Sequence, residues 1–222
     1  MNRNFLIFII TSSIIAAIFL SFPQIDLQIS NYFYNEADGF YLNKHPFFET
    51  VHNSVRIVAT SIAVSWIALL AVNYFGKKQI LNIPNFKLIY LILALAIGPG
   101  LVVNTIFKDN WGRARPHQTN NFGGENPFTP PFIIADNCER NCSFVSGDPS
   151  VGFYLFALYF AFRKRIFAYS ALGLGILFGG TRIVQGAHFF SDVIFSGVFT
   201  FTTCYLLWLA FSKYNSKESS LI

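Results

Sequence analysis

Charge is scarce in this sequence. Only 12% of its 222 residues are Asp, Glu, Lys or Arg, whereas 53% are hydrophobic and the mean hydropathy is +0.46. A soluble domain carries about 25% charged residues, so this chain has too few to cover a 25.1 kDa globule. The shortage excludes a soluble domain, a disordered chain and a coiled coil. It also excludes a solvated nucleic-acid binder, although a pI near 9.2 alone would favour one.

Long uncharged hydrophobic runs occupy the chain instead. Because a membrane span needs about 20 hydrophobic residues, we predict six spans, at residues 5–22, 57–75, 88–107, 151–162, 166–181 and 193–211. The first run is longer than the roughly 7–15 residues of a signal-peptide core and has no good cleavage site, so we interpret it as a span. The expected fold is an all-α integral membrane protein, with six transmembrane helices bundled in one domain over residues 1–222.

The basic residues predict which way the spans face. Nine of the 16 Lys and Arg residues lie in short loops that alternate onto one side, which is then the cytoplasmic side. They are Arg3, Lys77, Lys78, Lys87, Arg163, Lys164, Arg165, Lys213 and Lys217. Both termini would be cytoplasmic, and the long connections 23–56 and 108–148 would face outward. The first connection mixes aromatic and polar residues and is predicted to be an interfacial segment after the first helix.

Cysteine is also rare, with three residues. Cys138 and Cys142 lie in an outward connection, where an oxidising compartment permits a disulfide. Two free thiols remain the alternative, because sequence does not give their geometry. Two thiolates without a nearby His pair do not complete a zinc site. Cys204 lies within a predicted span and is interpreted as a small hydrophobic residue.

The predicted spans contain no ionisable Asp, Glu, Lys, Arg or His. Such residues mark proton relays and ion pathways in membranes, so their absence argues against an ion-coupled transporter. A helix break around Pro99 is the one transporter-like feature. A proline kink that redirects a single helix is the interpretation we favour for it.

The candidate functional residues cluster at the outward ends of the spans, in three places. The first follows the third span and contains Lys108 and Arg115. In a helix these two residues would lie about two turns, roughly 10 Å, apart on one side and could converge on one anion. The alternative is an interfacial anchor with Trp111 at headgroup depth.

The second cluster precedes the fourth span. Ser146 and Gly147 would offer backbone N–H groups near a helix N-terminus, a place suited to phosphate. Asp148 is followed by Pro149, which is typical of an N-cap and the first helical position. Helix capping alone would therefore explain Asp148.

The third cluster joins the fifth and sixth spans. His188 and Asp192 are four residues apart and would share one helical face. Asp192 could then accept the Nδ1 hydrogen of His188 and leave Nε2 as a nucleophile. Arg182 precedes His188 by six residues, which makes a purely structural histidine less favoured.

Together the clusters supply cations, backbone donors, a nucleophile and a carboxyl group. Phosphoryl transfer without a metal needs this set, because fixed positive charge stabilises the pentacoordinate phosphorus. The sequence has no acidic cluster for two metal ions. We therefore expect a phosphatase that uses no metal and no cofactor.

The three clusters resemble the signature of the type-2 phosphatidic acid phosphatase superfamily: K-x6-R-P, then P-S-G-H, then S-R-x5-H-x3-D. The resemblance covers the motif-bearing part, residues 108–192, and the six-span topology. It implies that Lys108, Arg115, Arg182 and the Ser146–Gly147 loop hold phosphate. It also implies that His188 becomes phosphohistidine, that Asp192 orients it, and that water then releases phosphate.

The second motif departs from the signature, because Val145 replaces Pro and Asp148 replaces the His that protonates the leaving group. Asp148 could be this acid only if its pKa were raised. Burial beside another carboxylate would raise the pKa and the neighbouring cations would lower it, so the sequence leaves the acid open. His117 is a possible substitute. In the first motif Pro116 is present, and in the third motif Thr181 stands for Ser.

The amino-acid sequences of the loops are similar to those of a narrower branch of this superfamily, the bacterial lipid A phosphatases. The segments are W-G-R-A-R-P at 111–116, F-G-G at 122–124 and N-C-S-F-V-S-G-D at 141–148. This implies an inner-membrane enzyme that removes the 1- or 4′-phosphate of lipid A on the periplasmic leaflet, with the 4′-phosphate favoured over the 1-phosphate. Two alternatives stay open: a phosphatase of undecaprenyl diphosphate or phosphatidylglycerol phosphate, and a non-catalytic lipid-headgroup binder. The predicted partner is a membrane lipid and not nucleic acid, and the oligomeric state stays open.

Overall fold

The computed structural model describes residues 3–77 and 79–218, which form eight α-helices and one short antiparallel hairpin. The helices are α1 (Arg3–Ser21), α2 (Gln24–Asn31), α3 (Pro46–Gly76), α4 (Asn85–Leu95), α5 (Gly147–Phe153), α6 (Leu155–Phe162), α7 (Arg165–Val184) and α8 (Phe190–Glu218). The hairpin pairs β1 (Tyr34–Asn35) with β2 (Gly39–Phe40). Of the predicted cytoplasmic basic residues, Lys78 and the side chain of Lys217 lie outside the described part of the chain.

The structure confirms an all-α membrane protein. Five helical segments among the described residues are long and hydrophobic enough to cross a membrane: Arg3–Ser21, Pro46–Gly76, Asn85–Phe107, Arg165–Val184 and Phe190–Lys213. They coincide with all the predicted spans except the fourth. Large hydrophobic side chains such as Ile7, Ile14, Val64 and Ile67 are exposed on α1 and α3, as expected of helices that face lipid.

The predicted fourth span, residues 151–162, is divided between the short helices α5 and α6, which meet at Tyr154. The Tyr154 hydroxyl donates to the Leu91 carbonyl at 3.0 Å and fixes this junction in the core. α5 packs closely on α7. A Cβ atom on Gly152 would lie only 2.6 Å from the carbonyl carbon of Leu174, so the two helices can approach this closely because residue 152 is glycine. This small-residue contact is typical of helices packed within membranes.

The third span changes its hydrogen-bond register halfway. α4 continues as a π-helix over Ala96–Phe107, which contains Pro99. Pro99 has no N–H to donate, and its carbonyl accepts a bond from the Asn104 side chain at 2.7 Å. The wider register persists to the end of the segment, where Lys108 N–H donates to Val103 at 3.2 Å. The helix is therefore altered at Pro99 by a π-helical stretch, which places Asn104 and Lys108 at the far end of the segment.

The segment predicted to be interfacial also packs into the protein. α2 places Asp26 and Ser30 in fully buried positions. The Asp26 carboxylate accepts a bond from the Ser191 N–H at 2.8 Å, at the start of α8. The N-terminal part of the chain is thereby joined to the last helix.

The two cysteines of the connection 108–148 adopt the bonded alternative. Cys138 and Cys142 form a disulfide with their Cα atoms 5.7 Å apart. Cys204 is a buried free thiol, as predicted for a small hydrophobic position.

Candidate active site

The three predicted clusters come together at one end of the helical bundle. Lys108 directly follows the π-helix, Gly147 begins α5, Arg182 lies in the last turn of α7, and His188 lies in the loop before α8. A Cβ atom on Gly147 would lie 3.3 Å from the Lys108 Nζ atom, so the first and second clusters touch. The charges of Lys108 and Arg115 both act on His188. The fold thus assembles the set that sequence spacing alone proposed.

His188 is held by its Nδ1 atom. Its side chain is 2% exposed, and Nδ1 lies 2.8 Å from the Ser143 carbonyl oxygen. The predicted acceptor, Asp192, is farther away, with Oδ2 at 3.6 Å from Nδ1, which is beyond a hydrogen bond. The Ser143 carbonyl therefore fixes the tautomer, with Nδ1 protonated and Nε2 bearing the lone pair.

The charge state of His188 suits a nucleophile. Burial, together with the positive charges of Lys108 and Arg115, lowers its pKa to about 4. The imidazole is then neutral at physiological pH, so its Nε2 lone pair is available for attack.

Asp192 sits at the centre of a buried hydrogen-bond network. Its Oδ2 atom accepts bonds from the Ser143 hydroxyl at 2.5 Å and from the Phe189 N–H at 2.8 Å. Its Oδ1 atom accepts from Arg113 Nη1 at 2.6 Å. Asp192 thus holds Ser143, and Ser143 in turn holds His188. Buried carboxylates of this kind need such complete partnering.

Arg113 was not singled out in the sequence, yet its side chain is fully buried beneath the site. Besides Asp192, it bonds Asp26 through Nη2 at 2.8 Å and the Thr129 carbonyl through Nε at 2.9 Å. The Phe189 ring lies under the guanidinium, 4.3 Å from its central carbon. Arg113 therefore neutralises two buried carboxylates and holds the one that supports the His188 loop.

The three cations predicted to hold phosphate are close enough for their charges to affect one another's pKa. They are Lys108, Arg115 and Arg182. Arg182 places Nε 3.4 Å from Asp148 Oδ2 and donates from Nη1 to Gln185 at 2.6 Å. Burial and the charge of Arg115 lower the pKa of Lys108 to about 8. Such lowering is expected of a cation that is buried beside a like charge.

The conformation around Lys108 and Arg115 differs from the predicted helix. The helix ends at Phe107, residues 108–110 form a turn, and residues 112–115 have no regular secondary structure, with Gly112 at φ +65°. Arg115 instead reaches the site by bonding the Asn141 carbonyl through Nη2 at 2.8 Å. The helical arrangement considered for this segment is thus not present, although the charge of Arg115 does act on Lys108.

The Ser146–Gly147 loop does only part of what was predicted. Ser146 donates its backbone N–H to the Asp192 carbonyl at 3.1 Å, so this N–H is already used. Its hydroxyl, however, is buried without a partner among the described residues. At Gly147 a side chain would collide with Asn104, since a Cβ atom would lie 2.6 Å from Asn104 Oδ1. The loop therefore brings the α5 backbone close to Lys108.

The prediction that Asp148 caps a helix is wrong. Ser146 occupies the N-cap position of α5, and Asp148 lies in its first turn. Its Oδ2 atom lies 2.6 Å from Nδ1 of His52, which comes from α3. Burial raises the pKa of Asp148, but the hydrogen bond from His52 and the charge of Arg182 outweigh it and hold the pKa below its ordinary value. An ionised Asp148 can accept a hydrogen bond but has no proton to donate, so it cannot be the acid itself.

His117, the possible substitute acid, lies in a different place. Its Nδ1 atom lies 2.9 Å from the Gly186 carbonyl, and it lines a separate cavity with Phe40 and Lys44. Burial lowers its pKa. Gly147, Asp148 and His52 line another cavity, of about 440 Å³, to which His117 does not contribute.

A neutral buried imidazole within the field of Lys108 and Arg115, at the end of a hydrophobic bundle, has the chemistry of a membrane phosphatase. Residues 87–216 match the model of the PAP2 superfamily. The chain belongs to this superfamily, which confirms the resemblance drawn from the three motifs. The predicted enzyme class, a phosphatase, is confirmed with it.

Individual relatives resemble the chain over nearly its whole length. It is 38% identical to a lipid A 4′-phosphatase of Francisella tularensis subsp. novicida, over 90% of this chain and 91% of that protein. It is 31% identical to one of Rhizobium leguminosarum (92% and 95%) and 30% identical to one of Rhizobium etli (92% and 86%). No solved structure matches the chain.

Proposed function

We propose that the protein removes the 4′-phosphate of lipid A on the periplasmic leaflet of the bacterial inner membrane. It is a membrane lipid phosphatase of the PAP2 superfamily. The 4′ position is favoured over the 1 position because the relatives from all three bacteria are named for it. Their similarity covers at least 90% of the chain, so it extends well beyond the motif-bearing part 108–192 into the residues that precede it.

The proposed topology has six spans in a single domain over residues 1–222. The fourth span would be residues 151–162, shared by α5 and α6. Both termini would face the cytoplasm, as the basic loops predict. The site would then face the periplasm, because its three segments all lie at the opposite ends of the spans.

The proposed reaction starts with attack of His188 Nε2 on the phosphorus. Lys108, Arg115 and Arg182 would hold the phosphoryl oxygens and balance the charge that develops on them. The bond from phosphorus to the lipid oxygen breaks, and phosphohistidine forms. Water then attacks the phosphorus, which releases inorganic phosphate and restores His188. The fixed cations would perform the charge neutralisation for which other phosphatases use metal ions.

The observation that carries this proposal is the placement of His188. Its Nδ1 atom is bonded to the Ser143 carbonyl, its pKa of about 4 keeps it neutral, and the charges of Lys108 and Arg115 act on it. A lipid-headgroup binder would need the cations but would not need a neutral, oriented imidazole. The arrangement therefore favours an enzyme over a binding protein.

Mass spectrometry of lipid A tests the proposal directly. Cells that express the wild type should lose one phosphate, and fragmentation should assign the loss to the 4′ position. Cells that express His188→Ala should keep both phosphates. The control is His45→Asn, which replaces a histidine that caps α3 with another capping residue, and it should behave as the wild type.

Purified protein completes the test. Activity should persist in excess chelator, and loss of activity that a divalent cation restores would contradict the metal-independent reaction. Faster hydrolysis of undecaprenyl diphosphate or phosphatidylglycerol phosphate would replace lipid A as the substrate. Tight lipid binding without turnover would instead establish the headgroup binder.

A further inference from the structure

Cleavage of a lipid phosphomonoester needs a proton donor, and neither His188 nor Asp148 provides one. The leaving oxygen belongs to an alcohol, and an alkoxide is a poor leaving group unless it is protonated as the bond breaks. His188 is the nucleophile in the proposed reaction and Asp148 is ionised. A second imidazole is the side chain best suited to supply this proton near neutral pH.

The chain contains four histidines, and their positions narrow the choice. His45 caps α3, where its side chain accepts a bond from the Phe47 N–H. His117 is bonded to Gly186 and lines the separate cavity. The remaining histidine, apart from His188, is His52.

His52 lies on α3 at the edge of the phosphate site. Its Nδ1 atom and the Arg182 Nε atom approach the same oxygen, Asp148 Oδ2, at 2.6 and 3.4 Å. His52 is thus separated from one of the phosphate-binding cations by a single carboxylate oxygen. It also lines the cavity of about 440 Å³ together with Asn104 and Gly147, and a Cβ atom on Gly147 would lie 3.3 Å from the Lys108 Nζ atom.

The hydrogen bond to Asp148 determines which nitrogen of His52 can exchange a proton. Nδ1 donates its hydrogen to the carboxylate, and no described residue hydrogen-bonds Nε2. The His52 side chain is 40% exposed and that of Asp148 is 21% exposed. The ring is therefore anchored on one nitrogen and open to the cavity with the other, as an acid that meets a substrate must be.

We propose that His52 is a catalytic residue that protonates the leaving oxygen of the lipid, and that Asp148 is the positioning residue that orients it. This inference rests on the proposed function, because it completes the same reaction.

The proton balance of the reaction is closed. As the phosphorus–oxygen bond breaks, the Nε2 hydrogen of the His52 imidazolium moves to the leaving oxygen, and the lipid departs as an alcohol. Neutral His52, still bonded to Asp148 through Nδ1, then takes a proton from the water that attacks phosphohistidine. The sum is phosphomonoester plus water giving alcohol plus phosphate, with His52 and His188 both restored.

The test uses the full-length protein in detergent and three membrane-anchored substrates with the same alkyl tail. They are phosphate monoesters of an alcohol, a phenol and a nitrophenol. A nitrophenolate leaves without a proton, whereas an alkoxide does not. His52→Ala should slow the alcohol ester by about 10²–10⁴-fold, the usual value of an acid catalyst, and the nitrophenol ester by less than about tenfold.

Two further variants separate catalysis from folding. Asp148→Asn should also slow the alcohol ester most and the nitrophenol ester least. Each rate should fall less than in His52→Ala, because the amide oxygen still accepts the Nδ1 hydrogen. His45→Asn on the same helix should leave all three rates unchanged. Imidazole added to His52→Ala should restore hydrolysis of the alcohol ester, since the cavity has room for a free ring.

An equal loss on all three esters, with no rescue by imidazole, would overturn the role of His52 and leave the proposed function intact. Failure of the wild type to dephosphorylate lipid A would overturn the proposed substrate instead. In that case the ester series still decides the role of His52.

Discussion

The Arg113 guanidinium lies 2.6 Å from the carboxylate of Asp192 and, through its other terminal nitrogen, 2.8 Å from that of Asp26. All three side chains are shielded from solvent. Two buried carboxylates thus share one cation, and one of them, Asp192, supports the loop that carries His188. A buried group of this kind contributes most when it is intact, because removing one member leaves the others unpaired.

Arg113→Ala should therefore destabilise the protein by about 3–5 kcal/mol, the typical cost of breaking a buried ion pair. Arg113→Lys keeps the charge but cannot reach both carboxylates in the same fork-like geometry, so it should fold with a lower kcat and a KM close to that of the wild type. Thermal unfolding in detergent and lipid kinetics measure the two effects. Arg140→Ala, at an exposed position, is the control, and an Arg113→Lys variant with wild-type kcat would contradict the prediction.

The close packing around Gly147 predicts that adding a single methyl group there lowers activity. Gly147→Ala places Cβ 2.6 Å from Asn104 Oδ1 and 3.3 Å from Lys108 Nζ, so the Lys108 side of the site must move. A displacement of this size should lower kcat/KM by roughly 10²-fold. Gly173→Ala, on α7 with open space around it, should have no effect. Adding Asn104→Ala to Gly147→Ala should restore part of the activity, and a Gly147→Ala variant as active as Gly173→Ala would exclude the predicted close approach.

Lys108 predicts how activity depends on alkaline pH. Its pKa is lowered to about 8 by burial and by the charge of Arg115, so the ammonium is charged below that pH and loses its proton above it. Because the charged form would bind phosphate in the proposed reaction, kcat/KM should fall as pH rises through about 8. This parameter reports the free enzyme. Lys108→Arg stays charged throughout, so its profile, at whatever overall rate, should lack this decline. A decline that persists in Lys108→Arg would assign it to another group.

The disulfide predicts a contribution to substrate binding. Asn141 lies within the ring closed by Cys138 and Cys142, and its carbonyl accepts the bond from Arg115. Opening the ring should loosen this contact and raise KM about fivefold, equivalent to one hydrogen bond of about 1 kcal/mol, with kcat little changed. Kinetics with and without reductant measure the effect. The double variant Cys138→Ser/Cys142→Ser should show the raised KM without reductant and no further response to it.

Much of the fold could be predicted because lipid imposes one dominant signal on the sequence. Long uncharged runs predicted five of the helical segments that the structure contains. The division at Tyr154 and the π-helix around Pro99 were not predicted, because hydropathy is insensitive to both. The short fourth run was the available signal for the division, since 12 hydrophobic residues are fewer than a span needs.

The candidate site could be predicted where its residues are close in sequence. His188 and Asp192 are four residues apart, and their spacing alone placed them together. His52 and Asp148 are 96 positions apart, and Arg113 and Asp26 are 87 apart, so no local pattern relates them. These contacts depend on how α2 and α3 pack against the rest of the bundle.

A signal existed for some of these residues. Asp26 is a carboxylate in an otherwise hydrophobic and polar segment, and such a group calls for a partner once it is buried. Arg113 lies between Trp111 and Arg115, where it resembles one more interfacial cation. The sequence offers no comparable signal for His52.

The bond between Asp26 and Ser191 spans 165 positions of the chain. It therefore affects when the protein can fold during its synthesis. Asp26 is synthesised early, but its buried partners arrive only with Arg113 and then with the beginning of α8. The loop that carries His188 cannot take its final shape until that last helix is in the membrane. A nascent chain would therefore pass beside its lipid substrates without acting on them, and competence would arise only when the two ends of the protein meet.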